Sequence, residues 1–144
     1  MQIDAVPAAE VRPLRGVVLR PNRPVEDLIY PSDDVRGAWH AVARQDGAVV
    51  GIISISPEPH PSDPAEGDWR IRGMATDPAV RGAGYGAALL TEALEHARSQ
   101  GGRRVWCNAR SSALGFYARA GFVAEGDEFV IWPDLPHYVM AVKL

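Results

Sequence analysis

Three glycines at alternating positions stand between a strand-like run and an amphipathic run in Asp77-Pro78-Ala79-Val80-Arg81-Gly82-Ala83-Gly84-Tyr85-Gly86-Ala87-Ala88-Leu89-Leu90. Upstream, Trp69–Thr76 reads as a strand and Asp77-Pro78 turns the chain. Downstream, Ala87, Leu90, Leu94 and Ala97 share one face of a helix, which Gly101-Gly102 stops. A helix's first turn has unpaired N–H groups and a partial positive charge. Glycines let the backbone approach an anion and adopt dihedrals closed to other residues. Strand, glycine loop and helix together predict an α/β fold with a phosphate-binding turn, to which Arg81 adds a charged donor.

Three ligands fit such a loop to different degrees. A nucleotide P-loop ends in Gly-Lys-Ser/Thr, which is absent. A dinucleotide fold could claim Gly82-x-Gly84-x-x-Ala87, but wants an acidic residue about twenty positions on. Here the chain reads Gly102-Arg103-Arg104. The pyrophosphate of coenzyme A is the third ligand. Spacing alone also leaves open a glycine-rich helix start with no ligand.

The rest of the chain extends the α/β pattern. Residues 2–6 read as a strand, and Val11, Leu14, Val18 and Leu19 as the stripe of a helix from Pro7 to about Arg20. Residues 21–37 are a long loop with a helical turn near Val25–Ile29. Asp46-Gly47 predicts a hairpin between Trp39–Arg44 and Ala48–Ile55. Four prolines stiffen 57–67. A strand at Arg103–Asn108, a short helix bearing Ala113, Phe116, Tyr117 and Ala120, and strands at Phe122–Ile131 and His137–Val142 complete a mixed sheet. Gly73 is a candidate for a bulge in its strand.

The 144 residues suit one domain, 1–144, with its own core. Net charge is -3, which offers no overall basic field to nucleic acid. No apolar run is long enough to span a membrane and no signal peptide is evident. The single cysteine, Cys107, permits no intrachain disulfide and suits a cytoplasmic protein. No cysteine–histidine cluster points to a metal.

Arg81-Gly82-Ala83-Gly84-Tyr85-Gly86 resembles the Arg/Gln-x-x-Gly-x-Gly/Ala motif of the GCN5-related N-acetyltransferases (GNAT). Ala113-Leu114-Gly115-Phe116-Tyr117-Ala118-Arg119-Ala120-Gly121-Phe122 is similar to that family's Ala-x-x-x-Tyr-x-x-x-Gly-Phe. One helix and one strand separate the two, as in the family. Arg72–Thr76, Trp106–Arg110 and Pro136–Met140 look like a bacterial branch of small-molecule acetyltransferases. The resemblance is firmest over residues 68–144. It implies a mixed, mostly antiparallel sheet of six to seven strands, helices on both faces, and a splayed pair of parallel central strands.

The resemblance further implies that acetyl-CoA is the co-substrate, its pantetheine arm entering the splay. Met74, Ala75 and Thr76 would meet that arm with backbone groups, and an N–H near Met74 would polarise the thioester carbonyl. Arg81, Gly82, Ala83, Gly84, Tyr85 and Gly86 would hold the pyrophosphate, with Asn108, Phe116, Tyr117 and Arg119 also on the cofactor. Many members carry Asn seven residues before the Tyr; here that position is Arg110, and Asn108 lies nine before. The implied activity is acetyl transfer to a primary amine of a small molecule by direct attack in a ternary complex. A protein N-acetyltransferase and a non-catalytic acyl-CoA-binding module are alternatives, and a homodimer is compatible with either.

Tyr117 is the candidate acid. A phenol, with a pKa of about 10, stays protonated where a thiol of about 8.5 is leaving. Tyr117 also sits on its helix's apolar face, where a core role would suffice. His137 is the candidate base; His40, Asp68, Glu66 and a water chain are rivals. Arg15, Asp33, Asp34 and Arg110 are further acceptor-site candidates, with Asp33-Asp34 read as a solvated loop. Cys107 points with Val105, opposite Trp106 and Asn108, and reads as a buried structural thiol rather than a nucleophile. Loops 21–37 and 57–67 are expected to shape the acceptor pocket.

Overall fold

Asp46 and Gly47 take φ values of 50 and 82, the paired positive dihedrals that a two-residue hairpin needs. They join β2 (Trp39–Gln45) to β3 (Ala48–Pro57). The computed structural model describes residues 1–144. The other strands are β1 (Gln2–Ala5), β4 (Asp68–Thr76), β5 (Arg104–Arg110), β6 (Val123–Ile131) and β7 (Leu135–Lys143). They form one sheet in the order β1-β2-β3-β4-β5-β7-β6.

Every neighbouring pair is antiparallel except β4 and β5. These two run parallel and pair only where Asp68–Arg70 faces Arg104–Trp106. β4 then continues to Thr76 and β5 to Arg110 without pairing each other. The mixed sheet and its splayed central pair therefore match the expected fold.

Helical segments cover both faces. α2 (Tyr85–Ser99) buries Leu89, Leu90, Ala93 and Ala97 against Ile53, Ile55, Ile71, Val105 and Cys107. α3 (Leu114–Arg119) adds Tyr117 to this cluster. Leu89 is fully buried, and removing such a side chain to Ala costs about 2–5 kcal/mol. On the opposite face Val11 and Leu14 pack on Val42, Ile52 and Ala75.

The segment expected as one helix from Pro7 to Arg20 is broken into three. A 3-10 turn spans Ala8–Glu10, α1 spans Arg12–Leu14, and a π-helical turn spans Arg15–Leu19. Pro13 lacks an N–H and suits only a helix start. The wide turn, closed by Arg20 N–H donating to the Arg15 carbonyl at 2.9 Å, goes with an Arg15 side chain held in the interior. Loop 21–37 contains two 3-10 turns, Val25–Leu28 and Pro31–Asp34. β7 starts two residues earlier than His137, at Leu135. No helix is long and apolar enough to cross a membrane.

Candidate active site

The glycine loop is shaped from within. Asp77 accepts a bond from Ala79 N–H at 2.9 Å, and Ala83 N–H donates to the Val80 carbonyl at 3.2 Å. Gly84 caps α2 in the left-handed region, φ 90, where a side chain would be strained. The first bond of α2 runs from Ala88 N–H to the Gly84 carbonyl at 3.1 Å. The N–H groups of Tyr85, Gly86 and Ala87 precede it and have no backbone acceptor. They point the positive end of a fifteen-residue helix at a cavity of about 1420 Å³.

Every cofactor residue named from the sequence lines this cavity except Ala83, whose amide is spent inside the loop. Phe116 packs on Gly86, where an added Cβ would lie 3.2 Å from its ring. Met74 approaches the same spot, 3.6 Å from that Cβ position. These residues offer what a diphosphate and its arm require: free amides, an exposed Arg81, and a groove between unpaired strand edges.

Strand alternation divides the splay into two faces. Val105, Cys107 and Ala109 belong to the core under α2 and α3, with Tyr117. Trp106, Asn108 and Arg110 turn to the other face, where Arg70 lies over the Trp106 ring at 4.6 Å. His137 on β7 is the register partner of Arg110, so it shares that face.

Tyr117 is buried beside Cys107 in the core, with Phe116 and Phe122 against its ring. Burial, then the Cys107 neighbour, push its phenol above the ordinary range. Burial likewise pushes the Cys107 thiol up to about 12. Both groups are protonated at neutral pH; Tyr117 lines the cavity, and Cys107 has no thiolate to attack with.

His137 is buried at the cavity wall. Its Nδ1 lies 2.8 Å from the Leu135 carbonyl. A carbonyl only accepts, so Nδ1 carries the proton and Nε2 is the basic nitrogen. Phe129 stacks on the ring at 6.0 Å. The rival bases are elsewhere. His40 spends both ring nitrogens, on Ser54 Oγ at 2.7 Å and the Asp33 carbonyl at 3.1 Å. Glu66 is exposed and outside the cavity. Asp68 is bound to Arg104 Nε at 2.8 Å and to the amides of His60 and Ala65. Burial opposes its charge, but these partners outweigh burial and hold its pKa down at about 2.

Asp33 is not a solvated loop acid. It is buried and takes two bonds from Arg15, NH1–Oδ2 and NH2–Oδ1, both 2.8 Å. Asp34 stays exposed. Arg15 also donates to the Leu28 carbonyl and Ser54 Oγ, each at 2.8 Å, and lies 3.9 Å from the Tyr30 ring centroid. The bulge at Gly73, φ 63, presses on this cluster: an added Cβ would lie 3.1 Å from Arg15 Nε and 3.2 Å from Tyr30. Tyr30 in turn lines the cavity.

Sequence reasoning passed over Arg72, Arg20, Arg23, Tyr30 and Trp132 as cavity residues. The signal for Arg72 was present: Arg70 and Arg72 alternate with buried Trp69 and Ile71, which puts both arginines on one sheet face. Tyr30 and Trp132 lie in loops, where no periodicity points to a facing surface.

The profile of the Acetyltransferase (GNAT) family matches residues 9–122, and the chain belongs to that family. It is 29% identical over 143 residues to the uncharacterized N-acetyltransferase YitI of Bacillus subtilis (strain 168), covering 99% of this chain and 95% of that one. The structure of Escherichia coli ElaA superposes with a TM-score of 0.78 at 21% identity, covering 97% of each chain. An aminoglycoside 6'-N-acetyltransferase complexed with coenzyme A superposes with a TM-score of 0.75 at 14% identity, covering 99% of this chain and 97% of that one.

Proposed function

We propose that this chain is a cytoplasmic N-acetyltransferase that moves an acetyl group from acetyl-CoA to a primary amine of a small molecule, by direct attack in a ternary complex. One observation carries the reading: a single cavity runs from the free amides of α2 through the splay, with Tyr117 entering it from one sheet face and His137 from the other. Bound acetyl-CoA supplies the acyl group as a reactive thioester.

The chain's residues divide the remaining work. Amides of residues 84–87, with Arg81 and Arg119, hold the phosphates. The open edge of β4 at Met74–Thr76 orients the arm. His137 Nε2 accepts the proton that an ammonium must lose, on the face where the acceptor lies. Tyr117 Oη keeps a proton for the departing sulfur on the opposite face. Acid and base are thus kept apart, and neither neutralises the other.

The test is thiol release from acetyl-CoA across a panel of small amines, for the wild type, Tyr117→Phe and His137→Ala. The reading expects acceptor-dependent release that both variants slow. Release that ignores the acceptor, or a Tyr117→Phe rate equal to wild type, removes the assigned roles.

A further inference from the structure

The cavity is lined by seven arginines and by no Asp or Glu. Composition does not explain this, because the chain holds 18 acidic residues against 15 basic ones. Two of these arginines, Arg81 and Arg119, flank the glycine loop and α3, where the phosphates of coenzyme A account for them. The other five lie beyond the splay, on the face that carries His137, and no part of the cofactor reading uses them.

Arg70 and Arg72 project from β4 on that face. They share one carboxylate, Glu58, at 2.7 and 3.4 Å, and the Nε of each is buried with no partner. Arg110, opposite His137, has no ion pair, and neither does Arg20 at the end of the π-helical turn. Arg23 has only a loose 3.7 Å contact with exposed Asp27, and stands 5.3 Å from the Trp132 ring across the cavity mouth. Burial, and then the like charge of Arg70, hold the Arg72 guanidinium below its ordinary range.

Charge excess of this kind constrains the acceptor. A cationic amine with no acid group meets net repulsion here, since Glu58 offsets only part of the positive charge. An amine that also carries an anion is drawn in by guanidinium forks, which match carboxylate and phosphate oxygens. The same field favours loss of a proton from the bound ammonium, which the reaction needs.

Resting on the acetyl-transfer reading above, we infer that the acceptor is a small amine bearing a carboxylate or a phosphate. The anion is held by Arg72 and Arg110 on the His137 face, with Arg20 and Arg23 at the mouth.

Matched pairs test this: β-alanine against β-alaninamide, and phosphoethanolamine against ethanolamine, with putrescine as a dication. Thiol release from acetyl-CoA is measured for the wild type, Arg72→Gln and Arg110→Gln. The anion-bearing member of at least one pair is expected to exceed its anion-free partner by about 100-fold in kcat/KM. Each arginine variant is expected to remove most of that preference. Arg110 is exposed, so its variant keeps the core intact. Which pair responds distinguishes carboxylate from phosphate.

Equal rates within both pairs, a preference for putrescine, or a preference that survives both variants overturns the inference and leaves acetyl transfer standing. If no amine releases thiol, the transfer reading fails, and binding decides the anion site. Saturable calorimetric binding of glutarate or inorganic phosphate to coenzyme A-loaded protein, lost in Arg110→Gln, upholds it; no saturable binding overturns it.

Discussion

Arg15 and Asp33 meet through two 2.8 Å hydrogen bonds with neither side chain exposed to solvent. The pair ties the π-helical turn to the second 3-10 turn of loop 21–37, and Ser54 joins β3 to it. Removing one partner leaves the other charged in the interior. Arg15→Met is therefore expected to lower the unfolding free energy by about 3–5 kcal/mol, read as a lower urea midpoint at unchanged m-value. A loss below about 1 kcal/mol would mean that water reaches Asp33.

Gly73→Ala tests the bulge. The position holds φ 63, and a Cβ there would crowd Arg15 Nε and Tyr30 at 3.1 and 3.2 Å. Strain of this kind costs on the order of 1–3 kcal/mol. The variant should lose that much stability by chemical denaturation. It should also raise the acceptor KM more than the acetyl-CoA KM, because Tyr30 borders the cavity on the acceptor side. Equal changes in both constants would contradict this division of the cavity.

Most of the sheet was legible in the sequence because its cues are local. Asp46-Gly47 fixed one hairpin, and the alternating glycines marked the start of α2. The N-terminal segment was misread as one helix because its stripe of Val11, Leu14, Val18 and Leu19 has helical spacing. The wide turn at Arg15–Leu19 accompanies the burial of one arginine, whose partners lie 13, 18 and 39 residues away. Asp33 was taken for a solvated acid for the same reason. Pairing at such distances leaves no periodic trace. The arginine-lined face was half visible in the alternation of Arg70 and Arg72; its other contributors come from loops.

Asp68 gives a pH dependence of stability. Its folded pKa, about 2, lies below the value of about 3.9 for an unfolded Asp. The stability it contributes is fully present above about pH 4. That contribution is lost as pH falls from there towards 2. For a side chain that is 2% exposed, the difference amounts to roughly 2.5 kcal/mol. Asp68→Asn should lower stability at pH 7 by at least this amount, and its stability should fall less than that of the wild type between pH 4 and pH 2. Parallel stability curves over that interval would remove Asp68 from the acid transition.

Cys107 and Tyr117 separate two reaction routes. A thiol pushed up to about 12 is no nucleophile at neutral pH. Cys107→Ala is expected to keep acetyl transfer within a few-fold of wild type, and mass spectrometry should find no acetylated enzyme. Tyr117→Phe keeps the aromatic packing with Phe116 and Phe122 but loses the proton, and should slow turnover on the order of 10²-fold. An acetylated Cys107, or a large loss in Cys107→Ala alone, would instead support a covalent route.

His137 can act in two ways that a single rate does not separate. Its Nδ1–H bond to the Leu135 carbonyl fixes which nitrogen is basic, and its stack on Phe129 supports the cavity wall. If it takes the proton from the acceptor, His137→Ala should slow turnover on the order of 10²-fold at pH 7. The deficit should shrink as pH rises and solvent itself supplies the free amine. If His137 only supports the wall, the deficit should be the same at every pH and appear in the acceptor KM. A kcat/KM profile from pH 6.5 to 9.5, recorded for wild type and variant with one acceptor, decides between them. The opposite-face arrangement of Tyr117 and His137 favours the narrowing deficit, because His137 is the one imidazole that lines the cavity and no carboxylate lines it.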